Sequence, residues 1–393
     1  MIGFMAHQRY RFLGDFVKKQ AKFWPVVGIF GLRQVGKSTL LRKQLGLTNL
    51  FNLDDEDVLS EMKSSAKAFL AKHERPIAID EAQKAPTLFD AIKSDVDSLR
   101  IPGSYYLSGS STFSAQGDIK ESLTGRIGFC HLHPLTLAES HEKSLAKTSL
   151  RPIHSNPLRF KFEDVSRQSP KGGLPVPLFA RDANTRSEYW SSWLATTLGR
   201  DLVRVYGRGY NPDIAERILF KTASHHKAGI FPTIADFDQD SRIVRKYLNA
   251  FRNIFMLRML PCHEAGQGRD RYCFTDAGLA LHLCGQSHGE ELALSLVKIT
   301  VLNEIIAGTH YAGQTHRWTY YKSPRGNPVD LVWNDVPIKI VGTLNQLAWH
   351  EEALAAASKK TGSSHALLCG PTNQINLPNR KHAIGLVPWS FWS

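Results

Sequence analysis

Short, mostly apolar runs punctuate the first 140 residues of this chain of 393 residues, and amphipathic stretches separate them. Residues 26–30, 50–53, 77–79 and 105–107 are such runs, and each ends in glycine, acidic or hydroxyl residues. That pattern predicts buried parallel strands joined by crossover helices, with helical patterns from Thr39 onward and over 58–72. Residues 144–185 interrupt it with Ser, Lys, Arg and Pro152, Pro157, Pro170, Pro175 and Pro177, which predicts a loosely structured connection. Helical spacing returns over 187–205, 212–227, 233–237 and 241–256. In the last stretch Ile243, Val244, Tyr247, Leu248, Phe251, Ile254 and Phe255 share one face. Arg242, Arg245, Asn249 and Arg252 lie opposite, with Lys246 beside them. Residues 256–260 and 271–274 read as strands around a Gly266–Gly268 turn, and three helices plus a hairpin predict a winged helix. A helix over 294–307 and a strand over 337–341 follow.

The first apolar run leads directly into Gly31-Leu32-Arg33-Gln34-Val35-Gly36-Lys37-Ser38-Thr39. Strand, G-x-x-x-x-G-K-S and helix in that order make a phosphate-binding loop. Its glycines let backbone N–H groups converge on an anion at the positive end of a helix. Lys37 is expected to reach the β- and γ-phosphates, and the Ser38 hydroxyl to hold Mg²⁺. Downstream, Ile79-Asp80-Glu81 ends the third strand in two carboxylates, as in a Walker B strand. Asp80 would serve the Mg²⁺ shell and Glu81 would polarise the attacking water. Ser108 and Ser110 lie at the tip of a further strand, where a hydroxyl can orient that water; Ser110 is the preferred candidate. Arg126 follows a helix end, where a ring ATPase places the arginine finger that reaches a neighbouring subunit; the competing role is a helix C-terminal cap.

Composition alters this picture in one respect. The hydrophobic share of 42% and charged share of 22% are ordinary for a globular protein, but the formal net charge of +13 favours an anionic partner such as nucleic acid. Five cysteines without metal spacing fit a reducing compartment. The N-terminus lacks a signal-peptide core, and no uninterrupted apolar run approaches a membrane span, so a cytoplasmic protein without membrane association is expected.

These motifs, with Asn52-Leu53-Asp54-Asp55, Ala82-Gln83-Lys84 and Glu121-Ser122-Leu123-Thr124-Gly125-Arg126, resemble one group of proteins. It is the large set of bacterial and archaeal AAA+-type ATPases whose P-loop domain precedes a C-terminal domain of unknown function. Family members usually carry Pro at Leu32 and Thr at Ser38. Gly172-Gly173-Leu174-Pro175, Tyr189, the pair Arg200-Asp201, and Phe274 to Ala280 match further parts of the pattern. The resemblance implies ATP with Mg²⁺, a helical lid in which Arg200 either senses nucleotide or pairs with Asp201, and a C-terminal fold like restriction endonucleases. That nuclease pattern is degenerate here. Glu304 lies in the expected helix and Asp330 is kept, but Lys339 stands at an acid position and Val341 at the catalytic lysine. Two acids separated by a cation make a poor metal site, although His316, Arg317, Lys322 and Arg325 would suit a nucleic-acid backbone.

The expected architecture is α/β: an AAA+-type core over 1–143, linker and lid over 144–208, a winged helix over 209–285 and a degenerate nuclease-like domain over 286–393. The expected function is an oligomeric ATPase, a hexameric ring, that remodels or translocates duplex or branched DNA. Arg242, Arg245, Lys246 and Arg252 are its expected DNA contacts. The alternatives are an ATP-switched signalling or defence regulator whose C-terminal modules bind protein and, less favoured, an ATP-dependent nuclease.

Overall fold

The structure, a computed structural model, describes the chain except for residues 1–8, 113–122, 143–157, 286–288, 315–316, 325, 327, 346 and 380–382. Glu121, Ser122, Pro152, Pro157, His316 and Arg325, named above, lie outside the described residues. The chain divides into two compact units. One takes residues 1–133, 196–210 and 253–255; the other takes 134–195, 211–252 and 256–393.

In the first unit the apolar runs pair into a five-stranded sheet of β1 (Val26–Phe30), β2 (Leu50–Asn52), β3 (Ile77–Asp80), β4 (Tyr105–Gly109) and β5 (Ile127–His131). Their order is β2-β3-β4-β1-β5, and every pairing is parallel. A parallel sheet is covered on both faces, which is why β1 and β3 are buried at every residue. Val26, Ile77, Ile79, Leu88, Phe89, Ile92 and Leu107 share one apolar core, each contributing about 1.5–3 kcal/mol by burial. This order seats β4 between the strand that feeds the phosphate loop and the strand that ends in Asp80. Three carboxyl-terminal strand ends therefore meet at one edge, where ligands of open α/β sheets bind.

Two local departures have clear causes. The helix expected over 58–72 is two helices, Glu56–Ser64 and Ala66–Lys72, because Ser65 turns extended at φ −159° and caps the second through a bond from Ala68 N–H at 3.2 Å. The helical stretch from 187 instead begins at Ala183, runs to Thr196, widens into a π-helical segment over Thr197–Leu202 and closes with Val203–Tyr206. Wide turns of this kind concentrate at functional sites, and this one belongs to the first unit.

The second unit contains the helix Pro212–Lys227, a 3₁₀ turn at Ile234–Asp236, the helix Ser241–Asn253 up to its final residue, and an antiparallel hairpin of β6 (Leu257–Leu260) and β7 (Arg271–Phe274). Val244, Tyr247, Leu248 and Phe251 are buried as the spacing predicts. Ile243 is not: it is 41% exposed and lies on the basic side of the stripe. Further along, β8 (Trp318–Tyr321), β9 (Val329–Trp333), β10 (Val336–Ile340), β11 (Ala366–Gly370) and β12 (Ile384–Pro388) form a mixed sheet in consecutive order. β8, β9 and β10 pair antiparallel, while β10, β11 and β12 pair parallel. The helix Leu347–Thr361 makes the crossover that a parallel β10–β11 connection requires.

The expectation of a loose connection over 144–185 is corrected for its described part. Helices Phe162–Gln168 and Pro175–Leu178 and the 3₁₀ turn Ser169–Lys171 lie within it, with Pro170 and Pro175 in first turns, where a missing N–H costs nothing. Buried Asp276 organises the same stretch. Its Oδ2 accepts Gly173 N–H at 2.8 Å and Leu174 N–H at 2.9 Å, while Oδ1 caps the helix Ala277–Cys284.

The expectation about membrane spans also needs refining. The helix Glu290–Tyr311 is long and apolar enough to cross a bilayer by length and composition, yet 83% of its apolar window is buried inside the protein. An apolar helix covered all round is also what a core helix looks like.

Candidate nucleotide-binding site

The phosphate loop is shaped by two glycines that no other residue could replace without strain. Gly36 has φ +106°, and a Cβ on Gly31 would lie 2.3 Å from the Leu132 carbonyl oxygen. Lys37, 5% exposed, donates from Nζ to the Gly31 and Leu32 carbonyls at 3.0 and 3.1 Å. Burial lowers its pKa from the ordinary lysine value; Glu81, Asp80 and Asp201 counteract that shift and Arg33 adds to it. Phosphate oxygens entering the loop offer this ammonium better acceptors than neutral carbonyls. Arg33 is half-buried, Gln34 and Thr39 are exposed, Val35 is buried, and Ser38 is exposed at the start of the helical turn Lys37–Thr39.

The sequence candidates on the neighbouring strands converge here. Ser38 Oγ donates to Asp80 Oδ2, and Ser108 Oγ donates to Asp80 Oδ1. Glu81 takes a left-handed backbone at φ 55° and is almost fully buried. Its Oε2 accepts from Ser110 Oγ at 3.0 Å and from Gln83 Nε2. The two serines thus take different carboxylates: Ser108 bonds Asp80 and Ser110 bonds Glu81.

Arg126 is placed differently. Nε and Nη2 form a two-point pair with Asp97 at 2.6 and 2.8 Å, and Nη1 donates to the Thr124 carbonyl at 3.0 Å. This hydrogen bonding lowers the Asp97 pKa and raises that of Arg126. Any role for Arg126 on a neighbouring subunit begins by opening that exposed pair.

Several residues at the site escape sequence reasoning. Buried Arg11 donates to the Val35 carbonyl at 2.7 Å and to the His133 carbonyl at 2.5 Å. Its backbone exchanges bonds with the Gln44 side chain at 2.9 and 2.8 Å. A peptide's C=O and N–H point in opposite directions, so fixing the Val35 carbonyl outward aims the Gly36 N–H into the loop. Gln83 braces Glu81. From the 196–210 segment, Arg200 pairs with Asp54 at 2.6 Å, and Asp201 pairs with Arg33 of the phosphate loop at 3.3 Å. Lys84 also bonds Asp54; burial pushes that carboxyl up, but Lys84 and Arg200 more than offset it and hold it below the usual value. Asp54 and the Arg200–Asp201 pair were visible as motif residues, but nothing in the sequence joined them to each other or to Arg33.

The other expected sites lie in the second unit. On the helix Ser241–Asn253, Arg242, Arg245 and Lys246 are exposed. Arg252 is half-buried and donates to Asn249 at 3.1 Å, while Arg242 pairs with Asp240 at 3.5 Å. Glu304 does not join Asp330. It accepts Leu137 N–H at 2.8 Å, and burial raises its pKa to about 8. Asp330 instead pairs with Lys298 at 2.7 Å, a residue outside the sequence expectation.

Comparison with known proteins adds to the geometry. Residues 24–141 match a family described as an AAA domain. Uncharacterized proteins of Mycobacterium bovis (Mb2031c) and Mycobacterium tuberculosis (Rv2008c) are each 27% identical over 271 residues, which is 66% of this chain and 56% of theirs. The chain therefore spans about half the length of the curated relatives it matches. Among solved structures, a Walker-type ATPase of Pyrococcus abyssi aligns over 69% of this chain and 94% of its own, at 14% identity and TM-score 0.38. A signal-transduction ATPase with numerous domains from Pyrococcus horikoshii aligns over 79% and 50%, at 11% identity and TM-score 0.27. The AAA-domain match covers all five strands of the first sheet and the Lys37, Asp80 and Glu81 motifs; with the geometry above, it makes the first unit a P-loop ATPase core.

Proposed function

We propose that the chain is an oligomeric ATPase, a hexameric ring, that couples ATP hydrolysis to binding and remodelling or translocation of duplex or branched DNA. The observation that carries the hydrolytic part is the strand-end constellation: Asp80 bonded to Ser38 and Ser108, and Glu81 bonded to Ser110 and Gln83. Ser38 and Asp80 bring oxygen donors together, which suits a hard cation with octahedral demands. Bound Mg²⁺ would neutralise charge on the β- and γ-phosphate oxygens. Lys37 would hold those phosphates, Glu81 would take the proton of the attacking water, and Ser110 would fix the Glu81 carboxylate through Oε2. Arg126 from a neighbouring subunit would complete the charge stabilisation after leaving Asp97.

The DNA part is supported by the +13 charge and by exposed Arg242, Arg245 and Lys246 on a helix that precedes the β6–β7 hairpin, as in a winged helix. One observation favours the second reading, an ATP-switched regulator. Arg33–Asp201 and Arg200–Asp54 tie the 196–210 segment to the phosphate loop and the β2 tip, so nucleotide phosphates would compete for both arginines. A cytoplasmic location belongs to the proposal in either form.

ATP turnover with duplex, single-stranded and four-way-junction DNA at two salt concentrations separates these readings. The motor reading expects strong stimulation by one DNA form, falling about tenfold or more in Arg126→Ala, since arginine fingers contribute at least that much. Turnover indifferent to every DNA, without binding, would overturn it in favour of the regulator.

A further inference from the structure

In the second unit the acid at the start of β9 and the residue facing it on β10 have opposite charge. Asp330 is satisfied: Lys298 Nζ, from the helix Glu290–Tyr311, lies 2.7 Å from Oδ1, and Ile340 N–H donates to Oδ2 at 2.8 Å. Lys339, 7% exposed, has no such partner. Its ammonium donates to the Pro328 carbonyl at 2.8 Å and lies 5.9 Å from the Trp349 ring, and among the described residues no carboxylate pairs with it. Arg271 adds another positive charge close enough to act on Lys339, and its guanidinium stacks over Tyr320 at 4.4 Å. The charge of Asp330 acts on Lys339 as well, but Lys298 already takes that carboxylate, so among the described residues Lys339 has no anion of its own, which is costly for a buried cation.

Two aromatic residues in the first turn of the helix Leu347–Thr361 adjoin that ammonium. Trp349 is 47% exposed, and His350 meets its ring edge-on at 5.0 Å. The His350 Nδ1 atom is buried and has no hydrogen-bond partner among the described residues. A buried excess cation, an unused ring nitrogen and an exposed indole face form one juxtaposition. A divalent metal is disfavoured at this point, because the ammonium of Lys298 already takes the carboxylate and Lys339 adds like charge.

We propose that Lys339, His350 and Trp349 form a metal-independent site for the phosphate of a nucleotide unit. Lys339 neutralises the phosphate, His350 donates a hydrogen bond from Nδ1, and Trp349 stacks on the base, as aromatic side chains do for single-stranded nucleic acid. The nucleotide unit is either a mononucleotide or part of a nucleic-acid strand; the phosphate-and-base chemistry is the same. The site does not depend on the DNA-motor reading, since a mononucleotide can fill it when no DNA stimulates turnover.

The test uses the full chain carrying Lys37→Ala, which weakens the phosphate loop as a competing site, in EDTA. The probes are inorganic phosphate, thymidine 5′-monophosphate and a 5′-phosphorylated single-stranded oligonucleotide. Expected is binding of the mononucleotide or the oligonucleotide with quenching of tryptophan emission, the tighter of the two naming the source. Lys339→Met should weaken it about tenfold and reduce the salt slope by about one phosphate contact. Trp349→Leu, at an exposed position, should abolish the quench while leaving the fold intact, so the proposal stays testable if Lys339→Met fails to fold. No binding, affinity unchanged in both variants, or inorganic phosphate binding as well as the nucleotides would overturn the assignment.

Discussion

Each unit places an acid near one end of a buried strand, Asp80 at the end of β3 and Asp330 at the start of β9, and the two acids have different partners. At the end of β3, Asp80 accepts from two hydroxyls, Ser38 and Ser108, beside a lysine bonded only to loop carbonyls. In β9, Asp330 is held by the ammonium of Lys298, with Lys339 across the sheet on β10. Neutral donors orient a carboxylate and leave its charge for a metal or a proton; an ammonium consumes that charge. The contrast teaches that strand position does not make a hydrolytic site. The partners decide, and here they make the first acid available and the second structural.

The largest effect should come from breaking the second arrangement. Lys298→Met removes the ion-pair partner of a buried carboxylate, leaving it only the more distant charge of Lys339, and should destabilise the chain by about 3 kcal/mol, as breaking a buried pair does. Ser108→Ala, removing a neutral donor from Asp80, should cost about 1 kcal/mol. Denaturant unfolding of the two variants measures the difference; equal costs would break the comparison.

Glu304 sharpens it through pH. The folded chain keeps a proton on this carboxyl up to about pH 8, whereas the unfolded chain releases it near 4.5. Its contribution is therefore fully present below about 4.5 and is lost as pH rises through about 8. Glu304→Gln should flatten that decline, raising the unfolding temperature at pH 8 by a few degrees and leaving it unchanged at pH 4.5. An unaltered pH profile would contradict the buried, protonated carboxyl.

A smaller effect belongs to Arg11 in the first unit. Arg11→Met releases the Val35 carbonyl and should weaken ATP binding about tenfold, roughly 1.4 kcal/mol, with Arg11→Lys recovering part of it. Equilibrium titration with a fluorescent ATP analogue reads this directly. Wild-type affinity in Arg11→Met would remove Arg11 from the site.

Legibility followed the range of each interaction. The phosphate loop, the Asp80-Glu81 strand end and the serines at the tip of β4 were readable because residue type and local strand–turn order announce them. Arg11 was not: its bonds reach residues 24 and 122 positions away, and an isolated arginine before a first strand carries no local mark. Lys298 was missed because the helix Glu290–Tyr311 is buried on nearly every side, so periodicity could not show which polar residue faces Asp330. The helices around Phe162 and Pro175 hid among prolines, whose places in first turns depend on the boundaries that the sequence left undefined.

The most direct measurement of the central claim compares Glu81→Gln with the natural chain for both ATP binding and single-turnover hydrolysis. Exchange of a carboxylate for an amide at the Ser110 and Gln83 contacts should preserve binding and slow hydrolysis by about 10²-fold or more, as loss of a general base does. Hydrolysis unchanged by the substitution would contradict the assignment of Glu81, and with it the account of this sheet edge as a hydrolytic site.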